Sequence, residues 1–201
     1  MIKRATKKNT RIALEKVESI LKTVRSGLRR KGYRFEVKVV GSKAFNTILI
    51  SDNEYYDIDV RILLTNNTKE DDAQKIFQDF YEAFMLLKTE NLSIARGKQT
   101  IRCYCYDKKR LLFTLEFVIL KGDKIIRENT RKNVMQWHNI KLRYEEAYSF
   151  FDNLQSDEKQ KFIEEFVLPL KIKYREAQSE KSSISIFLEA MNYYKNMRKI
   201  K

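Results

Sequence analysis

The sequence predicts an α+β fold, a small mixed sheet flanked by helices and followed by a helical C-terminal segment. Three observations predict it. Residues 9–31 place apolar side chains at helical spacing. The stretches 35–40, 55–64, 99–106 and 110–120 are short and rich in β-branched or aromatic residues. Beyond Gly122 the apolar spacing turns mostly helical. A core over 1–135 with a helical segment over 136–201 packed on it is the expected division.

Taken in order, Ile12, Leu14, Val17, Ile20, Leu21, Val24 and Leu28 line one side of the first helix, and Gly32 stops it. Residues 35–40 form the first strand, and 42–48 read as a short helix. Asp52-Asn53-Glu54 reads as a turn into a strand over 55–64. Thr65-Asn66-Asn67-Thr68 is expected to cap a helix over 69–88, with Ile76, Phe77, Phe80, Phe84 and Leu87 inward. A hairpin follows, turning at Asp107-Lys108-Lys109. Helices are then expected over 139–151, 156–174 and 183–197, with a kink or break at Pro169, the sole proline.

The chemistry concentrates in one stretch. Asp57-Ile58-Asp59 lies on a predicted strand, so both carboxylates share a face while Ile58 and Val60 point into the core. Like charges held that close repel unless a cation sits between them. Closely spaced oxygen ligands suit Mg²⁺ or Mn²⁺. Upstream, Val39-Val40-Gly41-Ser42 reads as a strand entering a turn, where glycine lets backbone approach a phosphate and serine adds a hydroxyl and an N–H. Glu116 is a single acid in the apolar run 111–120. It reads either as the partner of a cation such as Arg102 or as a third metal ligand.

The chain of 201 residues carries a net charge of +14, unevenly placed. Residues 1–34 hold twelve Lys or Arg against Glu15 and Glu18, and 96–132 is again basic, while the Asp57-Asp59 strand and the next helix are net acidic. A polyanion binding across the protein near an acidic pocket fits this separation, as does a solubilising surface. No apolar run approaches the roughly 20 residues of a membrane span. Cys103 and Cys105 alternate on one strand, poorly placed to pair with each other, so reduced thiols and a cytoplasmic location are expected. Serines without a base partner, a lone His138 beside Trp137 and no G-x-x-x-x-G-K-[ST] loop argue against triad hydrolases and Walker-type ATPases.

Gly41-Ser42, Thr47, Tyr56-Asp57-Ile58-Asp59-Val60 and a later strand acid resemble the nucleotidyltransferase superfamily built on the DNA polymerase beta palm. The resemblance covers roughly residues 10–145 and is closest to the cyclic GMP-AMP synthase-like and oligoadenylate synthase-like branch. Asn46 stands where that branch often has Gly, and Glu116 where Asp is commoner. The helical part is also shorter than the second domain those synthases carry. The resemblance implies a metal-dependent transfer of a nucleoside monophosphate from an NTP, ATP included, to a hydroxyl of a nucleotide or RNA, with release of pyrophosphate. It implies two Mg²⁺ or Mn²⁺ ions on Asp57, Asp59 and Glu116, with the nucleotide phosphates on Gly41, Ser42 and Thr47. Lys43, Arg96, Lys98 and Arg102 are the candidate triphosphate cations, and strand register decides which of them face the site. The alternative is a non-catalytic protein of that fold binding RNA or a protein partner. Oligomeric state stays open.

Overall fold

Thr6 opens the first helix. In the computed structural model, which describes residues 3–50, 55–140, 143–179 and 181–199, Thr6 Oγ1 accepts the Asn9 N–H at 3.3 Å and Asn9 Oδ1 accepts the Thr6 N–H at 3.1 Å. This reciprocal cap satisfies donors that a helix start leaves open. Helix α1 then runs Lys7–Arg30 and buries Ala13, Val17, Ile20, Val24 and Leu28. Helix α2 is only Gly41–Ala44, shorter than the 42–48 expected, because Asn46 adopts φ +54° and cannot continue a right-handed helix.

Helix α3 spans Ala73–Met85 and is capped by Asp72, whose Oδ1 accepts the Gln74 and Lys75 N–H groups at 2.8 and 3.1 Å. The cap expected at 65–68 does not form. Thr68 Oγ1 is recruited instead by the backbone of Arg34, as acceptor from its N–H and donor to its C=O, both at 3.0 Å. Phe77, Phe80 and Phe84 of α3 are buried against the α1 stripe and the sheet. Losing one such ring costs about 3–5 kcal/mol.

The strands are β1 (Lys3–Arg4), β2 (Phe35–Val40), β3 (Leu49–Ile50), β4 (Tyr56–Leu64), β5 (Leu92–Arg96), β6 (Ile101–Asp107), β7 (Arg110–Lys121), β8 (Lys124–Asn129) and β9 (Val134–Asn139). β1 and β3 pair alone, and the main sheet runs β2-β4-β7-β6-β5, with β8 and β9 continuing from the end of β7. β4 and β7 are parallel and the remaining pairs antiparallel, so the sheet is mixed. The expected turn at 107–109 closes on two residues, Lys108 and Lys109 at φ +44° and +73°, with Asp107 opposite Arg110. The expected turn at Asp52-Asn53-Glu54 lies outside the described residues.

The sheet buries one face. Ile58, Val60, Ile62, Leu115, Phe117 and Cys103 point into the core with α1 and α3. Both cysteines are free and buried, and burial pushes the Cys105 thiol up to about 11. β8 and β9 fill the stretch between Gly122 and the first expected C-terminal helix, where the sequence predicts no strand, and that helix begins at Arg143 instead of residue 139. Their alternation is masked by charged residues and by a turn whose left-handed residue is Asn133, not glycine. Trp137 of β9 packs on the core and donates its Nε1–H to Asp71 O at 2.8 Å.

The C-terminal helices are α4 (Arg143–Asp152), α5 (Ser156–Phe162), α6 (Leu168–Glu176) and α7 (Ser183–Lys199). A π-helical turn over Ile163–Val167 joins α5 to α6 where Pro169 removes a backbone donor. These helices form a second apolar core of Phe162, Ile163, Val167, Phe187 and Tyr194, and Phe45 from beyond α2 inserts into it. No described helix is long and apolar enough to cross a membrane.

Candidate active site

The strand period turns Asp57 and Asp59 to the face opposite Ile58 and Val60. Parallel register then sets Asp59 beside Glu116 and Asp57 beside Thr114, while antiparallel register sets Arg102 beside Glu116 on the other side. One row across the sheet therefore reads Val40, Asp59, Glu116, Arg102. At the start of that row the chain leaves β2 and turns at Gly41, φ +65°. A Cβ there would lie 2.1 Å from Asp59 Oδ2, so only glycine brings this backbone against the carboxylate.

Electrostatics mark the same place. Burial, then repulsion from Glu116 and Asp57, raises the Asp59 carboxyl from 3.8 to about 6, with Lys171 and Arg61 opposing the shift. Burial and then Glu116 raise Asp57 as well, although it sits at the open rim. The opposing cations do not neutralise the acids. The donor set thus has the chemistry of a site for a hard divalent ion: oxygen-only, anionic and under-compensated. As they stand, no three His, Cys, Asp or Glu side chains among the described residues are grouped to hold a metal. Glu116 Oε1 is engaged by Arg102 Nε at 2.7 Å, which is the structural role its sequence also allowed.

Lys171 of α6 is the residue that sequence reasoning missed. Its Nζ donates to Ser42 Oγ at 2.9 Å and to Thr47 O at 2.8 Å, deep in the protein. Burial lowers it to about 8, with Asp59 pulling the other way. The readable signal was its place in the stripe Ile163, Val167, Lys171, where successive positions four apart are buried. The helical segment reaches the turn twice more. Gly41 donates its N–H to Tyr148 Oη at 3.0 Å, and Ser42 Oγ donates to Ser183 Oγ at 3.3 Å. Phe45 stacks on Phe187 with centroids 4.2 Å apart, holding the turn in the helical core.

The expected nucleotide residues separate into two groups. Gly41, Ser42 and Lys43 lie on the turn, and Thr47 is buried behind it with its C=O on Lys171. Arg96 and Lys98 are on the far side, at the end of β5 and in the turn to β6. Together with Arg102, Arg127 and Glu116 they line a cleft of about 600 Å³ that meets the Asp59 row at Glu116. Three strand spacings, about 14 Å, separate β5 from β4. The structure does not bring these two cations to the Gly41-Ser42 turn.

No protein-family model matches the chain, and no curated protein is similar to it in sequence. Solved structures share its architecture. CdnC of Escherichia coli MS115-1, solved with ATP, is 14% identical with a TM-score of 0.59, covering 97% of this chain and 62% of that one. The CdnE cyclic dinucleotide synthase of Elizabethkingia meningoseptica, with GTP and Apcpp, is 17% identical with a TM-score of 0.54, covering 87% and 68%. The CD-NTase CdnG of Bradyrhizobium diazoefficiens, in complex with GTP, is 15% identical with a TM-score of 0.51, covering 69% and 40%. The chain spans 40 to 68% of the length of these three. It has the nucleotidyltransferase fold.

Proposed function

We propose that the protein is a metal-dependent nucleotidyltransferase that moves a nucleoside monophosphate from an NTP to a hydroxyl acceptor and releases pyrophosphate. One observation carries the reading: Asp57, Asp59 and Glu116 share one open face beside a glycine turn that backs onto Asp59. Buried Lys171 completes the turn with a cation. Bound Mg²⁺ or Mn²⁺ would neutralise the triphosphate and stabilise both the attacking and the leaving oxygen of an in-line displacement. Asp57 and Asp59 are the residues that would hold it, joined by Glu116 once released from Arg102.

The chain's own groups do the rest. The Gly41 and Ser42 amides and the Ser42 hydroxyl are donors suited to phosphate oxygens, and exchange their present partners Tyr148 and Ser183 for them. Lys171 supplies a positive charge from behind the turn, where low dielectric strengthens its pull on a triphosphate. The acceptor is a nucleotide or RNA. Six phosphate contacts to RNA would cost about three orders of magnitude in affinity between roughly 50 and 200 mM salt, whereas a nucleotide acceptor gives a shallow dependence.

Incubation with each α-labelled NTP and Mn²⁺ should yield a labelled product and pyrophosphate. Asp57→Ala should abolish both product and calorimetric Mn²⁺ binding. Glu116→Gln should cut turnover by orders of magnitude while NTP binding survives. Absence of Mn²⁺ binding to the wild type with an NTP present would sink the reading.

A further inference from the structure

β2 is the edge of the main sheet. It pairs with β4 along all six of its residues, and no described strand pairs with its other side. Its period-two pattern puts Phe35, Val37 and Val39, each half-buried, on the face toward α1, with Glu36 and Lys38 exposed on the other. α1 does not close over this strip. Between helix and strand lies a groove of about 990 Å³ whose lining includes Val17, Leu21, Val37 and Val39, with Lys22, Arg25, Arg29 and Arg30 around it. Glu18 is the one acid among the lining residues.

These cations lack the partners that neighbouring charges have. Arg11 pairs with Glu15 at 3.4 Å and Lys31 pairs with Asp79. Among the described residues, Lys22, Arg25, Arg29 and Arg30 have no acid partner. The Arg25 guanidinium lies over the Phe35 ring at 5.3 Å, and its Nε is buried without an acceptor.

We propose that this groove docks an extended acidic segment of a partner protein, which adds to β2 as a further strand. Strand addition satisfies the open row of backbone donors and acceptors on the edge. Alternate apolar side chains of the incoming segment then cover Val37 and Val39, and acidic ones meet the basic rim. Six residues of strand span about 20 Å, so a segment of similar length suffices.

Two other occupants fit less of the surface. A second copy pairing antiparallel about Val37 would set Glu36 against Lys38, but it would also bring two rims together, each with an excess of three positive charges. RNA would meet the cations but leave the strand edge and the apolar strip unused.

The test uses a fluorescein-labelled heptapeptide of alternating Glu and Val, read by anisotropy against the full chain. Saturable binding is expected, with slowed amide exchange confined to 35–40. Lys22→Glu/Arg29→Glu/Arg30→Glu, all at exposed positions, should weaken binding about tenfold or more. The same peptide N-methylated at alternate residues should fail on the wild-type protein, and this comparison holds even if the triple variant does not fold. No binding at about 1 mM peptide, or equal binding of the N-methylated peptide, overturns the proposal. So does poly(U) binding in this groove in place of the peptide, or sedimentation as a dimer whose β2 amides are already protected.

Discussion

Replacing Asp59 by Asn should stabilise the protein at neutral pH and not in acid. Asp59 is raised from 3.8 to about 6 in the fold, chiefly by burial and then by Glu116 and Asp57. The folded state therefore holds this proton more tightly than the unfolded chain does, and stability falls as pH rises from about 4 to about 6. At roughly 1.36 kcal/mol per pH unit, the ionised carboxylate costs the fold about 3 kcal/mol above that window. Asparagine keeps the shape and removes the charge. Melting curves from pH 4 to 7.5 should show wild type and Asp59→Asn converging at the acid end. The variant should lead by roughly 6–12 °C at the neutral end, given about 2–4 °C per kcal/mol at this chain length. Adding Mn²⁺ should raise the wild type alone and narrow the gap, because the cation relieves the repulsion that the substitution removes. A gap that does not depend on pH, or a variant less stable at pH 7.5, would refute the view that these carboxylates lack compensation.

Two further substitutions probe the turn. Lys171→Met keeps most of the volume and removes the cation behind Ser42 and Thr47. A charge-assisted hydrogen bond is worth about 1.5–3 kcal/mol, so NTP binding measured by calorimetry should weaken about 10- to 150-fold, and unchanged affinity would remove Lys171 from the site. Gly41→Ala would force a Cβ to 2.1 Å from Asp59 Oδ2 at φ +65°. It should cost about 1–3 kcal/mol in melting experiments and impair Mn²⁺ binding, and a variant that melts and titrates like wild type would show the close approach to be dispensable.

Most of the site's floor was legible because it is local. Period two alone puts Asp57 and Asp59 on one face, and Gly41-Ser42 follows a strand whose limits, 35–40, the sequence predicts and the structure reproduces. Asn46, standing where a glycine is common in similar synthases, adopts the left-handed φ of +54°. What depends on strand order was not legible. Nothing in the residues says that β5 lies three strands from β4, so which of the candidate triphosphate cations face the turn stayed open, and Arg96 and Lys98 stand beyond Glu116. β8 and β9 were hidden by a turn made from Thr130, Arg131, Lys132 and Asn133, none of which is glycine or proline. Glu116 was legible as unusual and Arg102 as a candidate partner, and register sets the two side by side with Arg102 Nε 2.7 Å from Glu116 Oε1.

Lys171 had a signal of a different kind. A lysine in a chain with 41 Lys and Arg carries no weight by type. It gains weight by occupying the position after Ile163 and Val167 in a buried stripe, where a charge persists only with partners. Those partners, Ser42 and Thr47, are 129 and 124 residues away in sequence. The π-helical turn over Ile163–Val167 immediately precedes the helix that delivers this side chain to the turn. Phe45, stacked on Phe187 and Tyr148, fixes the other side of the contact. The Gly41-Ser42 turn is thus shared between two cores. The sheet supplies its acids, the helical segment supplies its cation, and Phe45 couples them, so a change in helical packing acts directly on the geometry around Gly41 and Asp59.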